Sequence, residues 1–195
     1  FDSDDIQNVN PTVDPIRDLE IIETEMMLAD LESIQKRLEK NNKKNVEEEQ
    51  LKILEIALDC INNNKDFNIL KKDFDKKQLN QSGLLSLKPK IFVCNVDEQS
   101  VKNGNNYTKA FILKFGHENT LIVSADIENQ INELENSEKN NYMEMIGLQE
   151  TGLNMLIQKG YNILELDTYF TSGPEETRAW TIQKNCTAPK AAGEI

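Results

Sequence analysis

The chain has 195 residues, of which 38% are hydrophobic, enough for the core of one domain with appendages. Its 34 acidic and 22 basic residues give a formal net charge of -12, which disfavours broad electrostatic binding to DNA, RNA or an anionic membrane. No apolar run approaches the roughly 20 residues of a membrane helix, and Cys60, Cys94 and Cys186 lack metal-ligand spacing. Composition therefore predicts a cytoplasmic protein with reduced thiols, no metal site and no membrane or DNA partner.

Two long helices are predicted in the first part of the chain. Residues 1–15 are polar, and Asp14-Pro15 is a favourable helix start because proline tolerates the first helical position. Apolar side chains recur at spacings of three and four over residues 16–40 and again over residues 46–61. The two runs predict an antiparallel helical hairpin, roughly 35 Å long at about 1.5 Å per residue. Its apolar seam consists of Leu19, Ile22, Met26, Met27, Leu31, Ile34 and Leu38, then Leu51, Leu54, Leu58 and Ile61.

The tip of this hairpin carries the densest basic cluster of the chain. In an otherwise acidic protein, such a cluster could bind RNA or an acidic protein surface through local charge. The alternative is a scaffold whose charged faces are simply solvated. The cluster consists of Lys36, Arg37, Lys40, Lys43 and Lys44.

An α/β pattern follows the helical region. Residues 62–87 hold enough apolar side chains for short helices packed against the hairpin base. The continuous apolar run at residues 91–94 predicts a strand buried on both faces of a parallel sheet. Residues 107–115 predict a helix, and residues 120–123 predict a second buried strand. Strand, helix and strand in this order form a crossover unit of an α/β domain.

Helices and then a pair of strands are predicted for the remainder. The last helix is predicted to end at Gly160, a favourable C-terminal stop. The turn at residues 171–174 predicts the opening hairpin of a small β-rich module. The predicted helices span residues 127–134, 140–146 and 151–159, and the predicted strands span residues 164–170 and 178–182.

Two polar segments directly follow the two predicted parallel strands. Ligands of α/β nucleotide-binding domains lie at the carboxyl ends of such strands. The two segments resemble the base-recognition motifs of P-loop GTPases, in which Asn-Lys-x-Asp reads the purine edge and a Ser-Ala turn offers a backbone N–H to the ring. The matching residues are Asn95, Val96, Asp97 and Glu98 after the first strand, and Ser124 and Ala125 after the second.

Two departures from the GTPase motif bear on base preference, because Val96 stands at the lysine position and Glu98 at the aspartate position. An aspartate reads guanine by accepting from its N1–H and 2-amino group. Adenine has no 2-amino group, and its N1 is an acceptor that would face a carboxylate unfavourably. A longer glutamate could swing aside and admit adenine, so the sequence leaves ATP and GTP both open.

Longer stretches of the sequence resemble the YchF family of Obg-related nucleotidases. The resemblance covers nearly the whole chain. The segments that carry it are residues 14–20, 95–98, 145–153, 169–182 and 188–193.

The resemblance implies an α/β fold in which a partial P-loop NTPase (G) domain carries a long antiparallel helical hairpin insertion and the start of a β-rich TGS domain. It also implies binding of ATP or GTP with Mg²⁺, ATP at least as well as GTP, and association with the ribosome, through the large subunit or the 70S particle. The implied ranges are a linker at 1–15, the insertion at 16–87, the C-terminal half of the G domain at 88–168 and the TGS start at 169–195.

The resemblance also assigns roles to the motif residues. Asn95 would bond the outer edge of the purine, Glu98 would occupy the specificity position, and Ser124 with Ala125 would close over the base. The family's phosphate loop and magnesium-binding threonine have no match in this sequence. We therefore expect a nucleotide hydrolase of which this chain holds only the base-recognition half, with no catalytic residue and no metal ligand. The alternative is a non-catalytic helical docking module for a ribosomal or protein partner.

The remaining candidates for chemistry are given structural interpretations. His117, the only histidine, is predicted to be a surface residue. Cys94 is predicted to be a small core residue rather than a nucleophile. Tyr169 and Trp180 are predicted to pack within the β-hairpin rather than to stack on bases.

Overall fold

The computed structural model describes residues 12–41 and 48–194, with side chains described for residues 12–39 and 48–194. The chain forms two compact units, one of which spans Asp14–Lys88 while the other contains the described residues from Pro89 onward. Within the described residues, no helix is long and apolar enough to cross a membrane.

The first unit is built from helices. The carboxylate of Asp14 accepts the backbone N–H of Arg17 at 3.0 Å, which satisfies one of the free donors at the start of the first helix. The structure confirms both long helices and the short helices that follow them. They are α1 at Pro15–Asn41, α2 at Glu48–Asn62, a 3-10 turn at Phe67–Ile69, α3 at Leu70–Asp73 and α4 at Lys76–Ser82.

The core of the helical unit lies where the second half of α1 meets α2, α3 and α4. Ile34 and Leu54 of the predicted seam are buried there, whereas Ile22 is 51% exposed. The seam prediction is therefore wrong for Ile22, whereas Leu19, Met26 and Met27 in the same half of α1 are half-buried. The buried cluster consists of Ile34, Ile53, Leu54, Ala57, Leu70, Leu79 and Leu84.

A buried carboxylate fastens the segment after α4 to α1. Asp30 is 2% exposed and accepts the backbone N–H groups of Leu85 and Ser86, both at 2.8 Å. The guanidinium of Arg37 donates to the carbonyl oxygen of Ser82 at the end of α4. The Asp30 bonds satisfy two N–H groups that lie outside any helix or strand, and the Arg37 bond satisfies a carbonyl at the C-terminal end of α4.

The second unit contains the predicted parallel β-α-β crossover. Asn95 lies opposite Val123 in the parallel register. Three aromatic rings, those of Phe92, Phe111 and Phe115, join the crossover helix to the first strand with centroids 4.6 to 5.8 Å apart. The elements are β1 at Phe92–Asn95, α5 at Asn106–Phe115, β2 at Thr120–Val123, α6 at Ala125–Glu133, α7 at Asn136–Ile146 and α8 at Gly152–Leu164.

Two local predictions for this unit are wrong. Strand β1 is not buried on both faces, since Val93 is 46% exposed and β2 is the only strand among the described residues that pairs with β1. Helix α8 does not stop at Gly160 but continues to Leu164 and ends at Glu165, which has a positive φ of 56°. Contacts of α8 with β2 and with the strand that follows outweigh the low helix propensity of one glycine.

An antiparallel β-hairpin follows α8, as predicted. Strand β3 spans Leu166–Ser172 and β4 spans Thr177–Gln183, with Tyr169 directly opposite Trp180. The turn is closed by the N–H of Gly173, which donates to the Glu176 carbonyl oxygen at 2.9 Å. The short helix α9 at Ala188–Ala192 comes next.

Contacts of the two aromatic side chains hold the hairpin together. The indole N–H of Trp180 donates to the hydroxyl of Thr171 at 2.9 Å, and the Arg178 guanidinium lies 4.2 Å from the Trp180 ring centroid. The Tyr169 hydroxyl donates to the carbonyl oxygen of Ala191 in α9 at 2.8 Å. Both residues therefore have the packing role that the sequence predicts.

Candidate functional site

A direct hydrogen bond joins the two predicted base-recognition segments. Asn95 is the last residue of β1, and Ala125 is the first residue of α6, two positions after β2 ends. The side-chain oxygen Oδ1 of Asn95 accepts the backbone N–H of Ala125 at 3.0 Å. The structure thus brings both motifs to the carboxyl ends of the parallel strands, where α/β domains bind ligands.

This bond also determines which hydrogen-bonding groups of Asn95 and Ala125 remain free to bind a ligand. The amide nitrogen Nδ2 of Asn95 has no partner among the described residues, so its two N–H donors are available. The Ala125 N–H, which the motif offers to the ring, is already engaged by Asn95. A base that used this N–H would have to replace the Oδ1 contact.

Ser124 and Val96 position these groups from within the protein. Ser124 is 1% exposed, and its hydroxyl caps α6 by accepting the N–H of Ile127 at 3.5 Å. Val96 is 3% exposed, and its N–H donates to the Val123 carbonyl oxygen at 2.9 Å, which extends the strand pairing by one residue. The exposed members of the predicted set are therefore Asn95, Glu98 and Ala125.

Glu98 is held by two residues that the sequence does not single out. It begins a 3-10 turn at Glu98–Ser100, which the Asp97 carboxylate caps by accepting the Ser100 N–H at 2.8 Å. The side-chain N–H of Gln130 donates to the Glu98 carboxylate, and the Gln130 oxygen accepts the Tyr142 hydroxyl. The acidic group at the specificity position is thus connected to α6 and α7.

A second carboxylate fastens the start of α8 beside this edge of the sheet. Glu128, one turn after Ser124, accepts the backbone N–H of Gly152 at 2.6 Å and that of Leu153 at 3.3 Å. An ideal Cβ at Gly152 would lie 2.7 Å from the nearest methyl carbon of Val123, so α8 approaches β2 as closely as glycine permits. The role of neither residue is visible in the sequence, because each role depends on a contact between distant segments.

Charge favours an uncharged ring rather than phosphate at this edge. Carboxylates flank both exposed segments in the sequence, and a triphosphate would be repelled by them. A purine base carries no charge and presents hydrogen-bonding groups that an amide can match. The acidic residues concerned are Asp97, Glu98, Asp126 and Glu128.

The predicted basic cluster is only partly within the described residues. Lys36 is exposed and pairs with Glu32, one turn earlier in α1. Arg37 is half-buried and bonded to Ser82, so it serves the helical unit. The side chain of Lys40, together with Lys43 and Lys44, lies outside the described residues.

The histidine and the cysteine considered as candidates for chemistry show no sign of a catalytic role. His117 is exposed, as predicted, and its carbonyl oxygen accepts the Thr120 N–H at 3.2 Å. Burial raises the pKa of the Cys94 thiol, which disfavours the reactive thiolate. Across residues 12–39 and 48–194, no group of three or more His, Cys, Asp or Glu side chains could hold a metal ion.

Comparison with known proteins gives relatives along the whole chain. The chain is 38% identical to the ribosome-binding ATPase YchF of Haemophilus ducreyi and 35% identical to that of Bacillus subtilis. Both alignments cover 100% of this chain and 56% of the relative, so the chain spans little more than half of the relatives' length. Residues 166–195 match the family model YchF-GTPase_C, described as a protein of unknown function.

A solved structure supports the same relationship. The structure of the Schizosaccharomyces pombe YchF GTPase is similar with a TM-score of 0.76 and 31% sequence identity. The match covers 97% of this chain and 54% of that one.

Proposed function

This chain is a homologue of the YchF family along its whole length, and from that premise we propose that it supplies the base-recognition part of a nucleotide hydrolase. The supporting observation is the bond between Asn95 and Ala125, which unites the two motifs at the carboxyl ends of β1 and β2. In this proposal, Asn95 donates from Nδ2 to the purine, and Ala125 closes over the ring. Ser124 and Val96 hold these two segments in place, and Glu98 occupies the specificity position.

The domain assignments remain part of the proposal. Residues 16–87 would be a helical insertion, residues 88–168 the C-terminal half of a G domain, and residues 169–195 the start of a TGS domain. The helical unit Asp14–Lys88 and the family match that begins at residue 166 support these ranges. Residues 1–15 would link the insertion to preceding parts of the G domain, and the whole protein would be cytoplasmic.

Hydrolysis at the γ-phosphate would require groups from outside this chain. The sequence contains no phosphate-loop motif, and Mg²⁺ in such enzymes is held largely by that loop and by the phosphates of the nucleotide. In phosphoryl transfer, positioning and charge stabilisation come from the phosphate loop and the metal. We therefore assign base selection, and none of the chemical step, to residues of this chain.

The full-length protein that contains this chain should bind ATP at least as well as GTP. The reason is that Glu98 and Val96 replace the aspartate and lysine of the guanine-reading motif. Equilibrium titration with non-hydrolysable analogues of both nucleotides measures the two dissociation constants. A GTP preference of about tenfold or more, roughly 1.4 kcal/mol, would contradict this prediction.

Charge reversal at the hairpin tip should weaken association with ribosomes. We expect Lys40→Glu, Lys43→Glu and Lys44→Glu together to reduce co-sedimentation with ribosomes roughly tenfold, with the larger loss at low salt. The matched control reverses three exposed lysines of the same unit, Lys71, Lys72 and Lys77, and so changes the net charge equally. Equal losses in the two triple variants would show a net-charge effect, and unchanged sedimentation would leave the tip a solvated face.

A docking module without catalysis is the alternative function. It is favoured by the exposed apolar side chains on the first half of α1, where Ile21, Ile22 and Leu28 are 46%, 51% and 59% exposed. Nucleotide-dependent phosphate release by the full-length protein decides between the two functions, because a docking module would show none.

A further inference from the structure

A chain of hydrogen bonds connects the specificity position to two helices that carry no recognised motif. The Gln130 amide N–H in α6 donates to the Glu98 carboxylate, and the Tyr142 hydroxyl in α7 donates to the Gln130 oxygen. Gln130 and Tyr142 are both half-buried, while Glu98 is exposed. The contacts therefore restrain a surface carboxylate through partners that are partly packed into the protein.

The Glu98 carboxylate, which only accepts, selects the nitrogen end of the Gln130 amide, and the Tyr142 contact helps to hold that orientation. A glutamine side chain has a donor nitrogen and an acceptor oxygen at nearly the same place. If the amide were turned around, its oxygen would face the carboxylate, and two acceptors would be in contact. A tyrosine hydroxyl that donates to the Gln130 oxygen favours the orientation in which the nitrogen faces Glu98.

Restraint of this carboxylate has different consequences for the two purines. Guanine presents an N1–H and a 2-amino group, both donors, and a free carboxylate could accept from both. Adenine offers no donor at these positions, so it gains nothing from a free carboxylate and loses nothing from a restrained one. A protein donor that holds the carboxylate thus acts selectively against guanine.

We propose that Gln130, oriented by Tyr142, is a positioning residue that withholds the Glu98 carboxylate from guanine and so sets the base preference of this site. The inference rests on the proposed nucleotide-binding function. It goes beyond that function because it places the control of preference in α6 and α7, outside both recognition segments.

The test measures the affinities of ATP and GTP analogues for the full-length protein and its variants. Gln130→Leu should raise GTP affinity roughly tenfold, the effect of about one hydrogen bond to a charged group, and leave ATP affinity unchanged. Tyr142→Phe should change the ratio of GTP affinity to ATP affinity in the same direction by a smaller factor, since Gln130 remains but loses the hydrogen bond that helps to hold its amide in place. Because Tyr142→Phe removes only the hydroxyl group, this variant should fold even if Gln130→Leu does not, and the proposal can then still be tested.

Two further variants separate positioning from a general structural effect. Asn129→Leu is the matched control, because Asn129 is the neighbouring residue of α6 and donates to Glu133, away from the site, at 3.3 Å. Asn129→Leu should leave the ratio of ATP affinity to GTP affinity unchanged. Adding Glu98→Gln to Gln130→Leu should abolish the gain in GTP affinity, since the group that guanine uses is then lost.

The outcomes distinguish this inference from the proposed function. If the wild-type protein binds neither nucleotide, both fail. If it binds nucleotide, but Tyr142→Phe and a folded Gln130→Leu keep the wild-type ratio, the positioning role is overturned and the base site remains. If the gain in GTP affinity survives the addition of Glu98→Gln, control does not act through this carboxylate, and the inference is also overturned.

Discussion

A polypeptide of residues 1–195 alone is expected to release phosphate from ATP and GTP at no more than the background rate and to bind either nucleotide only weakly. Phosphate contacts from backbone N–H groups, a loop lysine and the metal dominate affinity and catalysis in P-loop enzymes. The candidate site offers a purine the two N–H donors of Asn95 and one N–H of Ala125, which already bonds Asn95. Such hydrogen bonds contribute roughly 1 kcal/mol each, against several kcal/mol lost on immobilising the ligand.

Isothermal titration and a phosphate-release assay measure these two properties. The full-length protein is the positive control for nucleotide binding. Its length is established by measuring the intact mass of the natural protein. Heats indistinguishable from dilution are expected for residues 1–195, alongside clear binding by the full-length protein. Micromolar binding by residues 1–195 would mean that a phosphate site exists among residues assigned to the scaffold, and the proposed division of the nucleotide site would be withdrawn.

Replacement of the two glycines of α8 by alanine should change stability in opposite directions. A Cβ at Gly152 would lie 2.7 Å from a Val123 methyl carbon and 3.0 Å from a carboxylate oxygen of Glu128. Gly152→Ala should therefore force α8 away from β2 and lower the free energy of unfolding by about 1–3 kcal/mol. The same shift should lengthen the Glu128 contact beside Ala125 and weaken nucleotide binding by the full-length protein.

Gly160→Ala is the matched control within the same helix. No atom lies within 4 Å of the Cβ position there, so the added methyl group meets no obstacle. Because alanine favours the helix interior over glycine, the free energy of unfolding should rise by about 0.5–1 kcal/mol. Urea denaturation of both variants gives the comparison. A destabilised Gly160→Ala together with a neutral Gly152→Ala would contradict the close approach of α8 to β2.

The parts of the fold that follow from local pattern are predictable from the sequence. Periodic apolar residues predict α1 and α2, and the run at residues 120–123 coincides with β2. Asn95 and Ala125 could be placed together because parallel strands end at the same edge of a sheet, and the structure joins them at 3.0 Å. Each of these inferences needs only the sequence near the element and a rule of topology.

The features that escaped prediction depend on which distant residue becomes a neighbour. Ile22 has the same apolar spacing as Ile34, yet it is exposed, because burial depends on where the other helices end. Gly160 has the residue type of a helix stop, but α8 contacts both neighbouring strands and continues. Gln130 and Tyr142 are ordinary helix residues in the sequence, and only their contacts connect them with Glu98.

The contact of Asp30 with Leu85 and Ser86 has a consequence for hydrogen exchange. Amide protons in irregular segments normally exchange within the shortest labelling times, because no helix or sheet has to open first. The amides of Leu85 and Ser86 each donate at 2.8 Å to a carboxylate that is 2% exposed. Their deuterium uptake should therefore be as slow as that of the buried turns of α2. Asp30→Asn should make both amides exchange faster, since one of the two acceptor oxygens is replaced by an NH2 donor and the remaining oxygen is neutral.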